Sequence, residues 1–166
     1  MKLSIVMMIK NEEKHLEKTL SSFEGIRNEI ETELIILDTG STDKSVDIAK
    51  KYTDKVFFKQ WNDDFSDMRN TSISYAKGEW LLILDADEPI TNYSNLIDFF
   101  KTSKHTKYNS GTVEIINIMS ENPIRRATCQ IPRFFRNSKK FCYKGIIHEQ
   151  PQFKYPLYNN IITCDH

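Results

Sequence analysis

Cysteine is scarce in this chain: Cys129, Cys142 and Cys164 are the only three in 166 residues. An odd number with no CxxC pair argues against a disulfide framework and a structural zinc site, and the three read as reduced cytosolic thiols. Glycine and proline are as sparse, at five each, so no linker-like stretch divides the chain, and no internal repeat is visible. No apolar run approaches the ~18 residues of a membrane span. The opening MKLSIVMMIKNEE meets charge by Lys10 and has no small-residue cleavage site, so no export or insertion signal is expected. The location this implies is cytoplasmic, beside a membrane only through partners. An excess of either charge is also missing, with 23 Lys and Arg against 23 Asp and Glu. No net field gathers nucleic acid or an anionic membrane, which leaves room only for a local basic patch.

What is present suits one domain with a real core, since 39% of the residues are hydrophobic. Residues 3–9 form an apolar strand-like run, and Asn11 is placed to cap a helix carrying Leu16, Leu20 and Phe23 on one face. The arrangement repeats with a strand at 34–37, a polar turn at 38–43 and a helix with Val46, Ala49 and Tyr52. A third strand is expected at 55–59, then a helix from Ser66 through Ile73 and Ala76, then a fourth strand at 79–84. Apolar strands alternating with amphipathic helices predict an α/β fold with a mostly parallel central sheet flanked by helices. Beyond Pro89 the rhythm changes to a helix at 94–101 and strands at 111–119, 131–135 and 141–147, which predicts an antiparallel C-terminal extension.

In open α/β sheets ligands sit beyond the carboxyl ends of the strands. Each of the four strands delivers polar groups there: Asn11 and Glu12, then Asp38, then the segment 61–69, then Asp85 and Asp87. LLILDADEPI places Asp85, Asp87 and Glu88 within four positions, where like charges repel and need compensation. Asp85 and Asp87, two apart on an extended segment, project to one side and can address one hard cation, Mn²⁺ or Mg²⁺, that keeps positions open for a diphosphate. A solvated acidic turn with Asp87 or Glu88 as a cap fits the spacing equally well. In DTGSTD, Ser41 reads as a helix cap and Asp38 as the better ligand. In WNDDFSDMRN, Arg69 suits bidentate contact with phosphate or a base edge, or pairs with Asp64 or Asp67. YKGIIHEQ sets His148, suited to ligate a metal or phosphate or simply to serve as a satisfied polar group, beside Glu149, a candidate general base. Arg133 and Arg136 of RFFRN read as surface charges.

Taken in order, LSIVMMIKNEEKHLEKTLSSF, LIILDTGSTDKSVDIAKKY, WNDDFSDMRN, GEWLLILDADE and RFFRN with GIIHEQ resemble the family 2 glycosyltransferases of glycosyltransferase-A fold, over residues 3–150. The resemblance implies a nucleotide-diphosphate sugar donor, most often a UDP-sugar, a divalent cation at a DxD motif, and transfer with inversion to an acceptor glycan, lipid-linked glycan or peptide. It implies that Asp38 accepts from the base, that Arg69 meets base or phosphate, and that Asn11 and Glu12 line the nucleoside pocket. Asp85 then reaches ribose or metal, Asp87 holds the metal, Glu149 is the base, and His148 assists the metal or diphosphate. Two halves are implied, nucleotide-binding over about 1–90 and acceptor-side over about 91–166. Two departures stand out: the Glu-Asp form of the base motif is absent, and family members commonly run well past residue 166, so either a catalytic domain alone or a truncated member is expected. A sugar-nucleotide-binding module without turnover shares every donor-side feature. A phosphotransferase with an aspartyl nucleophile is disfavoured by the mid-chain position of Asp85, and a sugar nucleotidyltransferase by the lack of a Gly-rich loop after the first strand.

Overall fold

The run LSIVMMI has no polar face to give to water, and it becomes the buried strand β1 (Leu3–Ile9). The computed structural model describes residues 1–121 and 124–166. In chain order follow α1 (Leu16–Ser21), α2 (Glu24–Glu29), β2 (Thr32–Asp38), α3 (Ser45–Lys50), β3 (Val56–Phe58), α4 (Phe65–Ser74) and β4 (Trp80–Leu84). The rest comprises β5 (Ile90–Asn92), α5 (Ser94–Lys101), β6 (Ser110–Glu121), β7 (Ile124–Arg136), β8 (Tyr143–Lys144), β9 (Gln150–Pro151) and β10 (Leu157–Asp165). One eight-stranded sheet runs β3-β2-β1-β4-β7-β6-β10-β5, and β8 and β9 form a separate hairpin. β3, β2, β1 and β4 are mutually parallel, as the alternation of strands and helices predicts. β7 is antiparallel to both β4 and β6.

Alternate residues of β1 supply two cores. Leu3, Ile5, Met7 and Ile9 face Leu16, Leu20, Phe23, Leu96 and Phe99, and Val6 joins Ile35, Leu81, Ile83, Phe135 and Tyr143 on the other side. Trp80 is fully buried, stacked 4.6 Å from Phe134 and edge-on to Phe99 at 5.0 Å, a site where truncation costs about 3–5 kcal/mol. In the sequence β1-β2-β3 the sheet grows one way, and then the chain crosses to add β4 on the other side of β1. The carboxyl ends of β1 and β4 therefore flank a topological switch point, where such sheets leave a crevice.

Several local expectations are corrected. Asn11 does not cap α1: the residue before that helix is His15, and Asn11 itself adopts φ 57°. Ser41 does not cap α3 and Ser66 does not cap α4, where Asp64 accepts from the Asp67 N–H instead. In each case the side chain first considered is engaged across a loop or by the cap itself. The strand expected at 141–147 contracts to β8, because Gly145 at φ 106° and His148 at φ 57° turn the chain back into β9. The extension is antiparallel where β7 meets β4 and β6, as predicted, while β5 and β10 lie outside the predicted strands and β10 adds parallel to β6. Among the described residues no helix is long and apolar enough to cross a membrane.

Candidate functional site

The loops after β1 and β2 are bound to each other before they meet any ligand. Asn11 Oδ1 accepts from the Thr42 N–H at 2.8 Å, the Asn11 N–H donates to Ser41 Oγ at 3.0 Å, and the Glu12 N–H donates to Ser45 Oγ at 2.7 Å. The left-handed backbone at Asn11, which asparagine tolerates better than most residues, aims these groups across the gap. Asp38 is buried and its Oδ1 accepts from the Ser41 N–H at 3.0 Å. Asn11 and Asp38 thus shape the rim from behind, while Glu12 and Thr39 line a cleft of about 300 Å³ with Trp61, Arg69, Asp85 and Asp87.

The third loop is organised around α4. Asp64 caps the helix, Asp67 accepts from Lys59 Nζ and Asn62 Nδ2, each at 2.6 Å, and these two bonds hold its carboxyl below the usual aspartate range. Both acids being occupied, Arg69 does not pair with its sequence neighbours. It donates from Nη2 to Asp85 Oδ1 at 3.0 Å and from Nε to Glu149 Oε1 at 2.9 Å, with the Tyr143 ring 5.7 Å from its guanidinium carbon. Its Nη1 is buried without a hydrogen-bond partner among the described residues.

Arg133 carries the second correction. Far from being a surface charge, its side chain is only 12% exposed and donates from Nη2 to Asp85 Oδ2 at 2.8 Å and to Glu88 Oε1 at 3.1 Å, and from Nη1 to Glu88 Oε2 at 3.2 Å. Glu88 also accepts from the Asp85 N–H at 2.9 Å. Arg136 likewise turns inward, donating to the His105 and Tyr108 carbonyls and lying over the Trp80 ring at 4.8 Å. Burial works against the charge on Asp85, yet Arg69 and Arg133 overcome it and push its pKa down to about 2. Burial raises the Glu88 carboxyl, with Arg133 opposing and Asp85 adding to the rise, and burial pushes Tyr143 up to about 12. Two arginines therefore meet Asp85, Glu88 and Glu149, which answers the question posed by LLILDADEPI for Asp85 and Glu88.

Asp87 stands apart from that cluster. Its side chain is 41% exposed and its Oδ2 lies 3.2 Å from Nε2 of His166, whose Nδ1 is 2.8 Å from Asn117 Oδ1. Across the cleft, burial and then repulsion from Asp87 raise the Glu12 carboxyl. Lys10 stands exposed at the same rim. Among the described residues no three His, Cys, Asp or Glu side chains converge into a ready-made metal cage. The oxygen donors Asp87 and Asp85 with His166 opposite suit Mg²⁺ or Mn²⁺, which take one or two carboxylates and complete their shell from substrate phosphates and water. The Asp85 oxygens are already engaged by arginines, so Asp87 is the stronger donor of the two. His148 is exposed at the tip of the β8–β9 hairpin, and no hydrogen bond among the described residues ties its ring to these carboxylates.

Arg133, Glu88 and His166 are the site residues that motif reading missed. The signal for Arg133 is the acid cluster itself, since clustered carboxylates require cations close by, and RFFRN supplies one of them.

The Glycosyl transferase family 2 profile matches residues 4–154. The prophage-derived glycosyltransferase SunS of Bacillus subtilis is 30% identical over 155 residues, covering 87% of this chain and 33% of SunS. A TPR repeat-containing protein of Synechococcus elongatus is 40% identical over 88 residues, covering 53% of this chain and 21% of that protein. This chain thus spans about a third or less of these relatives. Among solved structures, S. aureus TarS aligns with a TM-score of 0.59 at 25% identity, over 72% of this chain and 22% of TarS. Glucosyl-3-phosphoglycerate synthase from Mycobacterium tuberculosis, solved with Mn²⁺, UDP and phosphoglyceric acid, aligns with a TM-score of 0.53 at 17% identity, over 72% and 44% of the two chains, a likeness of fold.

Proposed function

The chain belongs to glycosyl transferase family 2, and from that premise we propose that it moves a sugar from a nucleotide-diphosphate sugar, a UDP-sugar first, to an acceptor with inversion. Its fold is of the glycosyltransferase-A type. In this reading one catalytic unit spans residues 1–166, with a nucleotide-binding half over about 1–90 and an acceptor-side half beyond. The acceptor is a glycan, a lipid-linked glycan or a peptide.

One observation carries the reading. Arg69 bonds to Asp85, at the end of a donor-side strand, and to Glu149, on the acceptor-side hairpin, so groups from the two halves meet through one guanidinium beside the switch-point cleft. Glu12, Thr39 and Trp61 would receive the nucleoside, with Asn11 and Asp38 fixing the two loops that carry it. Arg69 and Arg133 would hold Asp85 toward the ribose, and the unpartnered Arg69 Nη1 supplies a donor for a phosphate or base oxygen. Glu149, oriented by Arg69 through Oε1, would take the acceptor proton on Oε2 as the acceptor attacks the anomeric carbon opposite the diphosphate. His148, next to it at the hairpin tip, would contact the diphosphate. Asp87, with Asp85 beside it, would hold a divalent cation, which when bound supplies positive charge to the departing diphosphate.

Thermal-shift screening of UDP, GDP, dTDP and CDP, each with and without Mn²⁺, tests the donor reading. A ligand at 100 times its Kd adds about 2.7 kcal/mol to the native state, so UDP with Mn²⁺ is expected to raise Tm most. No shift with any of the four overturns the proposal.

A further inference from the structure

The balance of 23 cationic and 23 acidic residues conceals a steep asymmetry along the chain. From Arg125 to Lys154 stand eight Lys or Arg and one acid, Glu149, which is paired with Arg69; the first ninety residues hold 18 acids and 12 Lys or Arg. Four of those eight, Arg136, Lys139, Lys140 and Lys154, line a cleft of about 430 Å³ at the base of the β8–β9 hairpin. Its floor is aromatic: Phe135 stacks on Phe141 at 4.5 Å and lies 5.7 Å from Phe153. Lys139, Lys140 and Lys154 rim it, all exposed, and none pairs with a carboxylate among the described residues.

We propose that this cleft is a distal subsite for an acceptor polymer bearing phosphates along its length. The proposal rests on the transferase reading and names the acceptor class for it. Three unpaired ammonium groups around a concave aromatic floor match alternating anionic and apolar units, with phosphates at the rim and polyol or sugar faces on the rings. The cleft adjoins a second, smaller one lined by Arg69, Arg133, Tyr143 and Glu149, the two sharing Phe153 in their walls. Phe153 and Glu149 flank the two-residue strand β9, four residues apart, so at most on the order of 13 Å of chain at about 3.3 Å per residue separates them. A polymer gripped at the hairpin base therefore reaches the candidate base at the tip a few units further on. A flat anionic bilayer fits less well, since the lysines line a hollow at one end of the hairpin while the exposed apolar pair, Ile146 and Ile147, is at the other.

The test compares the chain with its Lys139→Gln/Lys140→Gln/Lys154→Gln variant, using fluorescent medium-length inorganic polyphosphate, neutral dextran and vesicles of phosphatidylglycerol in phosphatidylcholine as probes. The expected result is polyphosphate binding that weakens with salt, falls at least tenfold in the variant and is not displaced by dextran, while the UDP thermal shift is the same in both proteins. Equal polyphosphate affinity in the variant overturns the subsite, as does vesicle binding that polyphosphate fails to displace. If those results arrive with an intact UDP shift, the donor reading stands and this inference alone falls; absence of the UDP shift from the unsubstituted chain overturns the donor reading and the acceptor assignment with it.

Discussion

The two ends of the parallel strands each hold a carboxylate in an ion pair, and they treat it differently. At the amino-terminal end Glu33, 2% exposed, accepts from Ser4 Oγ at 2.5 Å, the Lys77 N–H at 2.6 Å, the Gly78 N–H at 3.1 Å and Lys55 Nζ. Gly78 is required there, because a Cβ would stand 2.6 Å from the Ser4 backbone nitrogen. At the carboxyl end Asp85, 36% exposed, is held by two arginines, one of which leaves a buried nitrogen without a partner. At the first end the Glu33 carboxylate is enclosed and fully bonded. The second is charged, open and short of one acceptor, which is how a binding site differs from a structural knot built of the same residue types.

Substitutions break that contrast in a definite order. The largest effect is expected from Glu149→Gln at the open end, where initial rates of sugar transfer should fall about 10²- to 10⁴-fold with UDP binding retained. Full transfer activity in the variant removes Glu149 as base. At the closed end Glu33→Gln should cost about 3 kcal/mol of unfolding free energy by urea denaturation, since buried donors lose their charged acceptor, and leave UDP affinity unchanged. A stability within 0.5 kcal/mol of the parent, the usual scatter of a surface change, contradicts the structural reading. Asp87→Asn should preserve the fold and weaken UDP binding about tenfold in Mn²⁺ but little in its absence, a loss of about 1.4 kcal/mol by calorimetry. An unchanged Mn²⁺ dependence rejects Asp87 as the metal donor.

The smallest effect concerns pH. Burial opposes the charge on Glu33, but Lys55, Ser4 and the Lys77 N–H outweigh it and lower its pKa from 4.5. A carboxyl lowered in the folded state contributes stability above its unfolded pKa and loses it as pH falls through the folded value. The stability gap between the parent and Glu33→Gln should therefore narrow below about pH 4.5. A gap that widens on acidification contradicts the assigned direction.

How much of this was legible depended on range. The four parallel strands announced themselves through local apolar runs, and so did the rim on which Asp38, Arg69, Asp85 and Asp87 lie. Pairing across the chain did not. Asn11 and Ser41 are good caps by local preference, yet each found a partner some thirty residues away, and a cap competes with whatever tertiary contact is nearer in space. Arg69 has two acids within five positions, but the cap of α4 takes one and Lys59 takes the other, so its partners come from 16 and 80 residues away. Likewise LYNNIITCD alternates too weakly to declare a strand, and becomes β10 only because β5 and β6 offer it two unpaired edges.

That strand sets an order of assembly. β10 fills the slot between β6 and β5, parallel to the former, so its hydrogen bonds join segments separated by about fifty residues and form late relative to the local hairpin of β6 and β7. As the chain emerges from the ribosome, β6 is made well before its neighbour exists, and one long edge with Val113 and Ile115 waits unpaired. An open edge of this kind recruits strands from other molecules. Slowed synthesis or a destabilised β10 should consequently show itself first as loss of soluble protein during expression, before any defect in nucleotide binding.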